Sequence, residues 1–222
     1  SLGFQGYNEM KIALAKATAT ATPTAAKLEP GADTQLLITH AYNTAVEALN
    51  GTRNMLDAEA IDRAATLLQR ARQVYFFGQG GSQVLAGDIW ARFSMLSTKF
   101  RTAGDSHMQA ITASLMGPED VILFISYSGC TRDMMDTLHL AKENGAKVIL
   151  VTHYADAPGA VLADVVLLCG AKENPLDSGS VPAKLAMLFV ANVLVLRYTL
   201  DNQELANLSL SRTSQALGSK LL

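Results

Sequence analysis

Four stretches of the chain are apolar at every position, not at every second one: Val74-Tyr75-Phe76-Phe77, Val121-Ile122-Leu123-Phe124-Ile125, Val148-Ile149-Leu150-Val151 and Val165-Val166-Leu167-Leu168. A strand apolar throughout is covered on both faces. A weaker strand is predicted near residues 98–102. Between these runs the apolar spacing changes to that of helices. Leu85, Ile89, Phe93 and Leu96 share one face, and Met134, Leu138 and Ala141 point inward from a helix over 131–143. Asn144-Gly145 ends that helix as a left-handed cap would. A short helix precedes Asp164, a long apolar one fills 182–200, and a last one runs over about 203–217. Strands alternating with helices predict an α/β fold: a three-layer α-β-α sandwich around a five-stranded parallel sheet, with right-handed crossovers.

The amino-terminal part is patterned differently. Residues 2–17 read as a short helix with Ile12, Leu14 and Ala15 on a modest apolar face. The low-complexity run 18–26 and Pro30-Gly31 then read as a linker, so the chain divides into 1–17, a linker over 18–32 and a domain over 33–222. Asp33 is placed to cap a helix ending near Leu49. Asp57 is placed to cap a second, whose Ile61, Ala64, Ala65 and Leu68 fall at helical spacing. The simpler reading is that these flanking helices merely pack on the core; the functional one is that they also mediate dimer contacts. Ser1 is not a natural initiator, so a trimmed or processed start is expected.

Composition narrows the function. Hydrophobic residues make up 49% and charged residues 17%, the reverse of a disordered chain. The formal net charge of -2 argues against a nucleic-acid-reading surface within these residues. Cys130 and Cys169 lie in no CxxC pair and near no metal-spaced histidines, which points to a reducing cytosol, with no disulfide framework and no zinc site. No cofactor is expected. The apolar stretch 183–200 carries Lys184, Asn192 and Arg197 and reads as a core helix rather than a membrane span.

Two strand-to-helix loops carry the chemistry. The first is Gly78-Gln79-Gly80-Gly81-Ser82. Its glycines permit a sharp turn and close approach of backbone to a ligand. Ser82 is placed to cap the following helix or to donate to an anion, which the helix start favours. Gln83 stands where a dinucleotide fingerprint needs a third glycine, and no Gly-Lys-Ser/Thr is present, so neither a nicotinamide dinucleotide nor a Walker loop is indicated. The second loop is Ser126-Tyr127-Ser128-Gly129-Cys130-Thr131, with three hydroxyls around a glycine and Arg132 just beyond it. Hydroxyls, free amides and a helix dipole suit the three acceptor oxygens of a phosphate monoester. Serines and threonines at helix starts are also ordinary caps. Two such loops at the ends of buried strands in one sheet favour the anion site.

Gly78-x-Gly80-x-Ser82 together with Ser126-x-Ser128-Gly129-x-Thr131 resembles the sugar isomerase (SIS) domain over about residues 71–200. That resemblance implies a flavodoxin-like sandwich that binds phosphosugars. It implies that Ser126, Ser128 and Thr131 hold the phosphate, with Tyr127 in the same loop. Ser82, beside Gly80 and Gly81, would contact the sugar, and Ser180 would line the site after the last strand. Residues 2–11, LGFQGYNEMK, are similar to the end of the helix-turn-helix domain of RpiR-type regulators, and Asp105-Ser106-His107 also resembles a segment of that family. The resemblance implies a remnant of a helix-turn-helix domain over 1–17. It further implies a phosphorylated sugar or sugar acid as effector, and DNA as partner of the attached domain. A cytoplasmic homodimer without membrane contact completes the expectation.

SIS domains also occur in isomerases, which need a base, usually Glu, and a ring-opening group, often His. Glu173, His107 and His153 are candidates, but each reads more simply as a surface or capping residue. His40 and His139 read as structural or exposed, Trp90, Met134, Met135 and Met187 as core, and Lys142-Glu143 and Lys172-Glu173 as solvated pairs. Cys130 reads as an inert position in its loop, with no resolving cysteine close in sequence. The expected class is therefore a non-catalytic sensor.

Overall fold

The computed structural model describes residues 30–170 and 180–218. In chain order these form α1 (Thr34–Met55), α2 (Ala58–Arg70), β1 (Gln73–Gly78), α3 (Gly81–Ser94), β2 (Phe100–Thr102), α4 (Ser106–Ser114), β3 (Asp120–Ile125) and α5 (Arg132–Glu143). Then follow β4 (Lys147–Thr152), α6 (Pro158–Leu162), β5 (Val165–Leu168), α7 (Val181–Asp201) and α8 (Gln203–Gly218). The segments 1–17 and 18–29, expected as a helix and a linker, lie outside the described residues.

The five strands make one parallel sheet in the order β2-β1-β3-β4-β5. The pleat sorts their side chains into two cores. Val74, Phe76, Val121, Leu123, Ile125, Ile149 and Val151 face α1, α2, α3 and α7. Phe77, Ile122, Phe124, Val148 and Leu150 face the opposite way, onto α4 and α5. This is the predicted sandwich, and the every-residue apolar runs are its cause. On the first side Phe76, Phe93, Phe100 and Tyr198 interlock with ring centroids 4.9–6.0 Å apart. Each fully buried phenylalanine contributes roughly 1.5–3 kcal/mol relative to exposure.

Helix boundaries follow local chemistry, with two departures from the pattern. The Asp57 carboxylate accepts from the amides of Glu59 and Ala60, as its position predicts. The Asp33 side chain makes no capping bond, although its backbone is extended as a cap should be. Helix α1 runs to Met55 rather than stopping near Leu49, because Gly51 is needed for packing and not for termination. A Cβ on Gly170, just past β5, would sit 2.1 Å from the Gly51 carbonyl carbon, so two glycines let α1 lie against the strand end. Thr52 completes the contact: its Oγ1 accepts from the Gly170 amide at 3.0 Å and donates to the Ala48 carbonyl at 2.7 Å. Asn144-Gly145 caps α5 as predicted, with Gly145 at φ 82°. The Gly145 and Ala146 amides return to the Lys142 and Ala141 carbonyls, the two bonds of a Schellman turn.

Helix α7 is apolar and long enough to cross a bilayer by composition alone. Ala183, Ala186, Met187, Val190, Ala191 and Leu194 nevertheless belong to the protein core, as the core-helix reading expects. Met134 and Met187 are buried as expected, and the half-buried Trp90 donates its indole N–H to the Phe100 carbonyl.

Lys142 is not simply solvated. It pairs with Asp164 at 2.8 Å, and Lys147 meets the same carboxylate at 3.1 Å. Burial pushes the Asp164 carboxyl up, but hydrogen bonds from Lys142, the Val148 amide and Lys147 outweigh it and hold its pKa below the ordinary value. A carboxylate held low in the folded state stabilises the protein above its unfolded pKa and loses that contribution as pH falls through the folded value. We therefore expect wild-type stability, followed by urea denaturation between pH 6 and pH 3 (about the carboxylate range), to fall more steeply at the acid end than that of Asp164→Asn. Parallel curves would show that the cluster contributes nothing.

Candidate functional site

The site lies where the strand order reverses. Strands β1 and β3 are neighbours in parallel register, with Gly78 opposite Ile125 at their carboxyl ends. The loops that follow leave adjacent strands from the same end of the sheet, about 4.8 Å apart at their roots. They then diverge. Loop 78–82 feeds α3 in one helical layer, and loop 126–131 feeds α5 in the other. Such divergence opens a crevice beyond the strand ends, the usual ligand position in open α/β sheets.

The first loop folds tightly on itself: a Cβ on Gly78 would sit 2.5 Å from the Ser82 carbonyl oxygen. Gly80 takes φ 55°, ψ -125° as the N-cap of α3, a conformation that favours glycine. Ser82 is therefore not the cap. It is the second residue of the helix, its amide bonded to the Gln79 carbonyl, and its half-buried hydroxyl has no partner among the described residues.

The second loop is stapled by its carbonyls. Tyr127 accepts from Thr152 Oγ1 at 2.9 Å and from the His153 amide at 3.0 Å, and Gly129 accepts from the Gly159 amide at 2.8 Å. With those carbonyls turned into the protein, the amides of Ser128, Cys130 and Thr131 find no acceptor among the described residues. Outward amides of this kind make an anion-binding concavity. The three hydroxyls are not equivalent. Ser126 is 6% exposed and its Oγ accepts from the Gly129 amide at 3.2 Å, shaping the loop. Ser128 is half-buried, and Thr131, exposed at the N-cap of α5, makes no capping bond. The ordinary capping role thus does not account for Ser128, Thr131 or Ser82.

Ser180 caps α7, accepting from the Ala183 amide at 3.4 Å. One turn on, Lys184 reaches back to the first loop: a Cβ on Gly81 would lie 3.8 Å from its Nζ. Sequence reasoning found no cation in either loop and missed this one. The available signal was a lysine near the start of an otherwise apolar helix, where the dipole disfavours it.

The titratable candidates are dispersed. His107 is exposed in the first turn of α4, His139 is exposed on α5, and His40 is half-buried on α1. His153 stacks on Tyr127 with ring centroids 5.0 Å apart. Its Nδ1 lies 2.7 Å from the Cys169 carbonyl, which can only accept, so Nδ1 carries the proton. Glu173 and Lys172 lie outside the described residues.

Residues 67–197 match the SIS domain. The chain therefore belongs to the SIS domain family. It is 35% identical over 208 residues to the HTH-type transcriptional regulator HexR of Pseudomonas aeruginosa, covering 90% of this chain and 70% of HexR. It is 28% identical over 213 residues to the HTH-type transcriptional regulator RpiR of Escherichia coli K12, covering 96% and 72%. Among solved structures, the Vibrio vulnificus NanR protein complexed with ManNAc-6P superposes with a TM-score of 0.85 at 22% identity, covering 99% of this chain and 78% of that one. Within the family the chain is of the RpiR-regulator type, as its similarity to HexR and RpiR shows.

Gly129 tests how rigidly the second loop is built. It takes φ 59°, and a Cβ there would meet the Ala157 Cβ at 2.6 Å and Thr152 Oγ1 at 3.0 Å. Gly129→Ala should destabilise the protein by about 2 kcal/mol or more in urea denaturation. Gly104→Ala, at a position with open space around it, should cost within roughly 1 kcal/mol. Equal costs would contradict the described loop.

Proposed function

We propose that this chain is the effector-sensing part of a bacterial transcriptional regulator and that a phosphorylated sugar or sugar acid is its effector. The phosphate sits on the second loop, on the free amides and the hydroxyls of Ser128 and Thr131, with Ser126 and Tyr127 forming the wall. The sugar extends towards Gly80, Gly81 and Ser82, with Ser180 and the Lys184 ammonium on the far side. The observation that carries this reading is the set of amides and hydroxyls at a helix start with no partner among the described residues, beside the other glycine-rich loop. The presence of ManNAc-6P in NanR supports it.

Occupancy controls DNA binding through an attached helix-turn-helix domain, of which residues 1–17 are the end. Two copies pair so that two half-sites can be read. Leu36, Leu37, Ile38 and Tyr42 on α1, 41–68% exposed, support a homodimer face on that helix. The reading is of a non-catalytic, cytoplasmic protein. Its relatives are named as transcriptional regulators, and His153 is already engaged by Cys169 and Tyr127.

A thermal-shift screen of hexose, pentose, amino-sugar and sugar-acid phosphates tests the proposal. At least one should raise the melting temperature while its unphosphorylated parent does not. Ser128→Ala should weaken that binding by about tenfold, the loss expected for a hydrogen bond to a charged group. A panel without any shift, or turnover of a sugar phosphate at ordinary enzyme rates, would overturn it.

A further inference from the structure

One fully buried polar side chain holds the first loop from a neighbouring helix. Gln109, 0% exposed on the inner face of α4, donates both amide hydrogens. One goes to the Gly78 carbonyl at 2.7 Å and the other to Gln83 Oε1 at 2.8 Å. Gln83, in the first turn of α3, passes the connection on from its Nε2 to the Ala103 carbonyl at 2.9 Å. The network therefore ties together the end of β1, the start of α3 and the connection from β2 to α4.

Stability alone does not call for this arrangement. Gln109 Oε1 is buried without a partner, and so is Nε2 of Gln79, the next residue in the loop. A buried amide with an unsatisfied acceptor costs about 1–3 kcal/mol, which offsets much of what its two donated bonds contribute. What glutamine provides there and methionine cannot is a fixed position for the Gly78 carbonyl. That carbonyl opens the first loop, two residues before Gly80 takes φ 55°. The second loop is anchored by other groups, Thr152, His153 and Gly159, on the far side of the crevice.

We propose that Gln109 is a positioning residue for the sugar half of the site. It holds the first loop in its binding geometry and leaves the phosphate half on the second loop untouched. The inference rests on the two-loop reading above.

The test uses calorimetric titration of the full chain with inorganic phosphate and with glucose 6-phosphate. In Gln109→Met, glucose 6-phosphate should bind about tenfold more weakly, the equivalent of one lost hydrogen bond in the positioning of the loop. Inorganic phosphate should bind as in wild type. Should Gln109→Met fail to fold, Gln83→Met breaks the same network at a half-buried position and should show the same split. If either variant weakens both probes equally, or weakens neither, Gln109 has no positioning role while the two-loop site stands. If wild type binds neither probe, this inference is overturned, whereas the two-loop reading stands or falls with the thermal-shift panel.

Discussion

The register of β1 against β3 is the constraint on which the rest of the molecule depends. Gly78 and Ile125 end neighbouring parallel strands at the same level, and their loops turn into opposite helical layers. Any other strand order would send the loops to the same layer or to distant edges of the sheet. The sheet sets this register through burial. The first core takes Val74, Phe76, Val121, Leu123 and Ile125, and the second takes Phe77, Ile122 and Phe124. A slip of one residue would exchange the two sets and leave each layer facing the wrong side chains.

On that frame the two loops are built by different means. The second is fixed through its carbonyls, which Thr152, His153 and Gly159 hold from one side, and the amides of Ser128, Cys130 and Thr131 keep no acceptor among the described residues. The first has few backbone bonds of its own and borrows rigidity from a buried amide network rooted on α4. A loop with its amides held in place before an anion arrives binds without a reorganisation cost. The Gly51–Gly170 contact fastens α1, the first helix among the described residues, to the end of the sheet where the loops lie.

Much of this was legible in the sequence. The every-residue apolar runs identified four strands and the sandwich, and the spacing of Leu85, Ile89 and Phe93 identified the inner face of α3. The Ser/Thr/Gly pattern after two strands located both loops. What was not legible depended on contacts between distant segments. Gly51 carries a helix-stop signal locally, yet its role is to admit Gly170. Ser82 looks like a cap, yet Gly80 at positive φ caps the helix two residues earlier. Lys184 and Gln109 lie on helices whose own periodicity says nothing about a loop formed about a hundred or about thirty residues earlier. Tertiary approach decides such positions, and local pattern does not record it.

The proposed phosphate docks on the amides of Ser128, Cys130 and Thr131, which have no acceptor among the described residues. Amide chemical shifts of the isotopically labelled chain, followed while inorganic phosphate and then glucose 6-phosphate are added, test it most directly. The largest displacements should fall on Ser128, Cys130 and Thr131 with both compounds, and on Gly80 to Ser82 only with the sugar phosphate. Displacements centred elsewhere on the sheet, or none at either loop, would contradict the account.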